Sequence, residues 1–478
     1  MIPKVRQVFI KTFGCKVNYT ESVAFAELAA KRGLLPVELT GSRVDQDGSG
    51  APPVVFINSC CVTAEAERKA AQFVRRIRRE HPECEVLFSG CGARNHLTRQ
   101  KYVDAGARVF DFHSEAFAWL AGNVGADSAS AGASAASEAP LSVDEPEVPF
   151  ESGIIGTARS RAFIKVQDGC RNFCTFCIIP FVRPYASRPV DEILDEAERF
   201  ISQGFRELVL TGINIGHYGM TPVDSAVNIA TARHWKRSRL YNRRADHPSF
   251  FDLVDRLLER IPEGTRLRVS SIEPEDIDDR FFEQLAHPRM CPHLHLPLQS
   301  GSNRVLAAMR RLYATEEYAV VARKFRRACP AGALTTDILV GFPTETEQDF
   351  QQTLELCSEL QFERIHGFPF SPRPGTGAAR MKQLPRAEVQ ERNRRLIAHC
   401  DPIAEERWRR FVGRRSGVLV EERLDGGAYS GHGEAYQQVR LRTTPGKAVE
   451  PGRIVLVKLE DFREGRFIAR MPAGAACT

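Results

Sequence analysis

The stretch Cys170-Arg171-Asn172-Phe173-Cys174-Thr175-Phe176-Cys177 decides how this chain is to be read. Its three cysteines stand at C-x3-C-x2-C spacing, and no fourth follows nearby. A structural zinc site closes its coordination with four protein ligands, and an electron-transfer iron–sulfur cluster usually takes four thiolates. Three thiolates in one short polar loop would leave one iron of a 4Fe–4S cluster without a protein ligand. An open coordination position marks a catalytic metal site rather than a structural one. Cysteines that merely pack as small hydrophobes do not call for this spacing. Phe173 and Phe176 between the ligands fit a site shielded from water, and fit an ordinary core equally well.

Around this loop the chain reads as α/β. Strand patterns at 163–166, 208–210, 267–270, 294–298, 336–340 and 365–370 alternate with helical stretches such as 190–203 and 347–359. Six βα units predict an open, partial TIM-type (β/α)6 barrel, whose chemistry sits on the loops after the strands. Cys170 follows the first of these strands directly. Upstream, residues 6–110 give a βαβαβ order and hence a parallel sheet. Strand 8–10 leads to Gly14-Cys15 and a helix over 21–32. Strand 54–57 leads to Cys60 and a helix over 64–80, stopped by Pro82. Strand 86–88 leads to Gly90-Cys91. Cys15, Cys60 and Cys91 thus fall just past three strand carboxyl ends, where sites of such sheets form. They are expected to converge as a second three-thiolate metal site. Cys61 and Cys84 read as packing or spectator residues, since adjacent Cys60 and Cys61 point in different directions.

The expected organisation is an N-terminal domain over 4–120, a flexible linker over 121–150, a barrel domain over 151–408, and a small β-barrel over 409–474. The linker is rich in Ala, Ser, Gly and acidic residues and cannot bury enough apolar surface to fold. An insertion at about 220–248 holds Arg233-His-Trp-Lys-Arg-Ser-Arg-Leu-Tyr-Asn-Arg-Arg244, whose cations and aromatics suit a phosphate backbone and unstacked bases, or a solvated surface. Short strands with Gly-rich turns at 417–421, 436–442, 453–459 and 467–470 give the last barrel, a form that commonly binds single-stranded nucleic acid.

The 478 residues carry a net charge of +6, mildly basic and compatible with a nucleic-acid partner. No apolar run approaches the ~18 residues needed to cross a membrane, and the start, Met1-Ile-Pro-Lys-Val-Arg, lacks a signal-peptide core. A cytoplasmic protein is expected, in which 13 cysteines argue for metal rather than disulfides.

These motifs together resemble the radical S-adenosylmethionine (SAM) methylthiotransferases over nearly the whole chain. The resemblance rests on Phe13-Gly14-Cys15-Lys16-Val17-Asn18, Ile57-Asn58-Ser59-Cys60, Ser89-Gly90-Cys91 and Gln167-Asp168-Gly169-Cys170. It extends through Leu210-Thr211-Gly212-Ile213-Asn214, Leu296-Pro297-Leu298-Gln299-Ser300-Gly301-Ser302 and Asp337-Ile-Leu-Val-Gly341-Phe-Pro-Thr-Glu345. It implies a methylthiotransferase domain, a radical SAM barrel and a C-terminal TRAM domain. It also implies two 4Fe–4S clusters, one on Cys170, Cys174 and Cys177 that binds and cleaves SAM, and an auxiliary one on Cys15, Cys60 and Cys91 that carries sulfur. Gly212, Asn214, Gln299 and Asp337 are the candidate SAM contacts, with structural turns as the plain alternative.

Gly14-Cys15-Lys16-Val17-Asn18 resembles the MtaB branch, which makes the 2-methylthio derivative of N6-threonylcarbamoyladenosine at position 37 of tRNA. A sister branch acts on isopentenyladenosine-37. The implied partners are the tRNA anticodon stem-loop and an external low-potential electron donor, acting on a monomer. Two readings from other classes compete: an iron–sulfur electron-transfer protein, disfavoured by three rather than four cysteines per site, and an RNA-binding protein with structural metal. Two positions depart from the family pattern. Cys61 stands where a small or hydroxyl residue is commoner. The run Ile178-Ile-Pro-Phe-Val-Arg183-Pro-Tyr-Ala-Ser-Arg188 has fewer arginines than usual, so no contact to SAM or RNA is carried onto it.

Overall fold

The computed structural model describes residues 7–44, 52–123, 160–222, 241–442 and 449–470. The N-terminal unit is a five-stranded sheet of β1 (Gln7–Phe13), β2 (Leu35–Glu38), β3 (Val54–Ser59), β4 (Glu85–Gly90) and β5 (Arg108–Val109), all parallel, in the order β2-β1-β3-β4-β5. The apolar run of β3 is buried on both faces, as central parallel strands are. Phe9, Val55, Ile57, Val86 and Phe88 pack to one side, against the apolar stripe of α2 (Ala64–Glu80). Val8, Ile10, Phe56 and Leu87 pack to the other, against α1 (Lys16–Lys31) and the helix His113–Asn123. Thr63 starts α2 by accepting the Ala66 N–H at 3.2 Å.

The first helix begins five residues before the expected 21–32. Cys15 caps it, and Asn18 Oδ1 accepts the Cys15 N–H at 3.3 Å, closing the first turn reciprocally. Glu21 therefore lies inside the helix and is buried. The expected linker falls, from residue 124 to 150, outside the described residues, as does the basic run 233–240 of the insertion. The insertion's base is an antiparallel strand pair.

The central unit is built on β6 (Ala162–Asp168), with β7 (Ala186–Ser187) antiparallel at its edge, and β8 (Glu207–Gly212). The insertion contributes β9 (Met220–Pro222) and β10 (Tyr241–Arg243). The barrel continues with β11 (Arg266–Val269), β12 (His293–His295), β13 (Ala333–Val340) and β14 (Arg364–Pro369). Parallel pairs run β6–β8–β11 and β12–β13–β14, and bridges Leu267–Met290 and Ser271–His295 join the halves. The six parallel strands form the expected open barrel. Leu334, Ile338 and Val340 of β13 pack into the core, while alternate residues Thr335 and Asp337 face the other side. Helix α1 lies across that open side: Tyr19 meets Phe163 at 6.0 Å between rings, and Lys165 Nζ donates to Glu21 Oε1 at 3.0 Å.

The C-terminal unit is a closed barrel of β15 (Arg415–Arg423), β16 (Tyr429–His432), β17 (Gln438–Arg442), β18 (Ile454–Arg463) and β19 (Arg466–Arg470), the expected small β-barrel with one strand more than the four read from sequence and consistent with a TRAM domain. The strand expected at 436–442 starts later because Tyr436 takes a left-handed φ of 67°, and the strand before it was missed. The barrel seats on the base of the central unit. Buried Glu207 pairs with Arg268 at 2.7 Å and with Arg266 at 2.5 Å, and Arg266 donates onward to the Gly417 carbonyl at 2.6 Å.

Candidate iron–sulfur centre

Each N-terminal cysteine sits where its strand ends. Cys15 caps α1 after β1, Cys60 follows β3, and Cys91 opens the short helix Cys91–Arg94 after β4. The asparagines of the two motifs explain this closeness. Asn18 Nδ2 donates to Asn58 Oδ1 at 3.0 Å, and the Cys15 thiol donates to Asn18 Oδ1 at 3.4 Å. Gly14 (φ 148°) is required because a Cβ there would sit 2.9 Å from the Cys60 Cβ. Cys60 and Cys91 are buried and Cys15 is exposed. Burial and the charge of Cys91 push the Cys60 thiol up to about 12. Cys91 goes the other way: a hydrogen bond from Cys61 and the nearby Arg183 guanidinium outweigh burial and hold its thiol below the ordinary range. Cys61 is thus buried as expected of a packing residue, yet it lies beside Cys91 in one cluster and favours that residue's thiolate. Cys84 packs in the sheet core.

The second set lies on the loop leaving β6. The Asn172 N–H points at Cys170 Sγ at 3.4 Å, and the Cys177 N–H donates to the Cys174 carbonyl at 2.9 Å. The loop is pinned underneath by Thr175, whose N–H donates to the Met309 carbonyl at 3.0 Å and whose Oγ1 donates to that of Ala308 at 2.9 Å. Phe176 packs with Val305, Met309 and Phe342, while Phe173 meets Phe181 edge-on at 5.8 Å. Burial first, then the charge of Cys174, pushes Cys170 up to about 12. Arg311 donates from Nη1 to Cys174 Sγ at 3.3 Å and is itself held by Glu273.

The two sets meet. Cys61 and Cys91 share one apolar cluster with Ile178, Ile179 and Val182, against which Cys170, Cys177 and Ile213 pack. Arg183 joins them electrostatically. It donates from Nε to Cys91 Sγ at 3.0 Å, from Nη1 to Glu21 at 2.8 Å and to Asp168 at 2.7 Å, and from Nη2 to Glu21 at 3.1 Å. The run 178–188, to which no contact could be assigned from sequence, therefore places Ile178, Ile179, Val182 and Arg183 between the two cysteine sets. Arg183 and Arg188 are both 3% exposed, and Arg188 pairs with Glu196. Arg183, Glu21, Lys165 and Arg311 were all missed. Asp168 was quoted only as part of a motif.

Of the candidate SAM contacts, Asn214 comes to the radical loop, with Nδ2 4.0 Å from Cys170 Sγ, beside Gly212 at the end of β8. Gln299 (φ 65°) is a strand link, its N–H donating to the Asp337 carbonyl at 2.8 Å. Asp337 pairs with His295 at 3.3 Å. Ligand atoms of His295, Asp337 and His366 lie within 4.8 Å of one another, a spacing that would suit a divalent ion. The neighbouring cations Arg364 and Lys16, which help burial hold His366 below its ordinary value, oppose one there.

Three thiols on adjacent elements, with a buried arginine donating to one sulfur, form a donor set that fits an iron–sulfur cluster, and the fold holds two such sets. The chain matches the Radical SAM superfamily over residues 164–357 and the Uncharacterized protein family UPF0004 over residues 7–107. It is 32% identical to the threonylcarbamoyladenosine tRNA methylthiotransferase MtaB of Thermotoga maritima, covering 90% of both chains. It is 33% identical to the tRNA-2-methylthio-N(6)-dimethylallyladenosine synthase of Mycobacteroides abscessus, covering 97% of this chain and 88% of that one. Its fold resembles that of the radical SAM methyltransferase TsrM of Kitasatospora setae, with a TM-score of 0.51, 15% identity and 77% of each chain covered. At 32% identity across nine-tenths of its length, this chain belongs to the radical SAM tRNA methylthiotransferases, whose cofactors are 4Fe–4S clusters and SAM.

Proposed function

We propose that this enzyme converts N6-threonylcarbamoyladenosine at position 37 of tRNA to its 2-methylthio derivative. The observation that carries the choice of base is Lys16. Its half-buried ammonium has no hydrogen-bond or ion-pair partner among the described residues; it faces the Phe163 ring at 6.0 Å, and Tyr436, Arg161 and Arg268 are near enough to act on its charge. A threonylcarbamoyl group brings a carboxylate, which such an ammonium would receive in a charge-assisted hydrogen bond. An isopentenyl group would desolvate that ammonium and give nothing back.

The C2–H of adenine is not acidic, so no general base removes it usefully. Clusters and SAM, when bound, supply the radical that abstracts this hydrogen and the sulfur and methyl groups that replace it. The protein's part is to hold, orient and exclude water. Cys170, Cys174 and Cys177 would hold the SAM-binding cluster, and Cys15, Cys60 and Cys91 the auxiliary one. Arg311 offsets thiolate charge at Cys174. The apolar wall of Ile178, Ile179 and Val182 keeps water from the space between the two sets. Asn214 and Gly212 are candidates for orienting SAM beside Cys170. The domain limits at residues 120, 150 and 408 belong to the same reading, as does an external low-potential electron donor.

The test is mass spectrometry of tRNA nucleosides from cells with and without the gene. Loss of the methylthio derivative of threonylcarbamoyladenosine supports the reading, and loss of the isopentenyl derivative instead overturns it. With purified protein, Lys16→Gln is expected to weaken binding of a threonylcarbamoyl-bearing anticodon stem-loop by roughly 10- to 100-fold, the range of one hydrogen bond to a charged group.

A further inference from the structure

The residues around Arg183 are tied to both thiolate sets by the chain itself. Asp168 lies two residues before Cys170, and Arg183 lies six after Cys177. Glu21 lies on α1, the helix that Cys15 caps. The remaining members complete a closed network: Lys165 Nζ lies 3.0 Å from Glu21 and 2.6 Å from Asp168, and His113 Nε2 lies 3.3 Å from Glu21. Two cations face two carboxylates, all nearly excluded from solvent. Among the described residues, the donor that leaves this network to reach a sulfur is Arg183 Nε, at 3.0 Å from Cys91 Sγ.

We infer that Arg183 is a positioning residue that makes the auxiliary cluster's electronic state depend on how the radical loop is seated. The inference rests on Cys91 being a ligand of that cluster. A hydrogen bond and a positive charge at a ligand sulfur favour the reduced, more negative cluster, because hydrogen bonds to the sulfurs and net charge set cluster potentials. The donor is carried by the segment that leaves Cys177, and it is aimed by Asp168, which precedes Cys170. A movement of the radical loop that carries Arg183 with it would therefore withdraw the donor from Cys91. The orienting carboxylates matter as much as the arginine. They fix the guanidinium in a plane from which only Nε can reach the sulfur, and they absorb part of its charge.

The experiment isolates the auxiliary cluster in the full-length chain by replacing Cys170, Cys174 and Cys177 with alanine. After anaerobic reconstitution, iron is counted and the cluster's midpoint potential is measured by redox titration followed by electron paramagnetic resonance. Adding Arg183→Met is expected to lower the potential by about 59 mV or more, a tenfold change in a one-electron equilibrium. Adding Asp168→Asn instead keeps an amide oxygen to accept from Arg183 Nη1, with Glu21 still holding Nη1 and Nη2, so the aim at Cys91 is retained while a compensating negative charge is lost; this is expected to raise the potential. Arg183→Lys keeps the charge without the forked geometry, so its potential should fall between those of the parent and Arg183→Met. A purely structural role would lower thermal stability in all three variants without this ordering of potentials. Potentials unchanged from the parent, or shifted in one direction by all three substitutions, overturn the inference while leaving the ligand assignment standing. Failure of the parent Cys170/Cys174/Cys177 alanine chain to bind iron overturns the ligand assignment, and the inference with it. If Arg183→Met does not fold, the opposed signs expected of Asp168→Asn and Arg183→Lys decide the matter.

Discussion

Asn18 and Asn58 hold each other across the mouth of the N-terminal sheet: Asn18 Nδ2 donates to Asn58 Oδ1 at 3.0 Å, and Asn58 Nδ2 returns a bond to the Asn18 carbonyl at 2.8 Å. This reciprocal pair joins the end of β3 to the start of α1, and so sets the spacing between Cys60 and Cys15. Both side chains are fully buried. Asn58→Ala should strand the Asn18 amide and cost about 1–3 kcal/mol, read in urea unfolding. It should also lower auxiliary-cluster iron while sparing SAM cleavage. Normal loading of both sites would refute the link between pair and cluster.

Cys170→Ala and Cys60→Ala should separate the two halves of the chemistry. The first is expected to abolish 5′-deoxyadenosine formation from SAM. The second should still form it, yet insert no sulfur into the tRNA. Both are read by chromatography of the nucleoside products together with iron counts, and sulfur insertion by Cys60→Ala would contradict the assignment of the second site.

Glu207 gives a pH prediction. Burial alone would raise its carboxyl, but Arg266 and Arg268 more than offset this and hold it well below the usual carboxylate range. A carboxyl depressed in the folded state contributes stability that is fully present above its unfolded value, about 4.3, and is lost as pH falls through the folded value. Thermal unfolding followed downward from pH 7 should therefore show a loss beginning near pH 4 to 5. Glu207→Gln should be less stable at neutral pH by about 3–5 kcal/mol, because two buried arginines lose their partner, and should lack this part of the acid loss.

On the outer face of the C-terminal barrel, Arg442 stands opposite Arg470 and Arg470 opposite Lys458 in the strand register, all three exposed. Such a row suits a nucleic-acid backbone. Replacing all three with glutamine should weaken tRNA binding across sequences and reduce the slope of log affinity against log salt by about one unit for each phosphate no longer neutralised. Filter binding at several salt concentrations would read both; an unchanged slope would place the RNA elsewhere.

Much of this was legible in sequence because it depends on local pattern. Apolar runs gave all six barrel strands near their observed places, and the stop at Pro82 gave the end of α2. Strand carboxyl ends told that Cys15, Cys60 and Cys91 would gather, since topology alone brings them to one edge. What escaped depends on partners distant in the chain. The start of α1 was hidden because cysteine is an unusual cap, and the Asn18 bond that makes it one cannot be read from propensity. Short β2 and the glycine-bearing β16 carry too few apolar residues to announce themselves. Arg183 lies in a run marked in sequence only by having few arginines; the approach of α1, 162 residues away in sequence at Glu21, gives it meaning.

The half barrel of β6 to β14 owes its missing wall to α1. Lys165, Asp168 and Arg183 line a surface that α1 covers, and Glu21 is the countercharge that makes this surface tolerable. The two units are therefore not separable modules, although each matches a family model of its own. A chain cut between them would yield a barrel with an uncompensated cationic seam and a sheet with a stranded carboxylate, so exchange of either unit between relatives succeeds only when the Glu21 and Arg183 positions travel together.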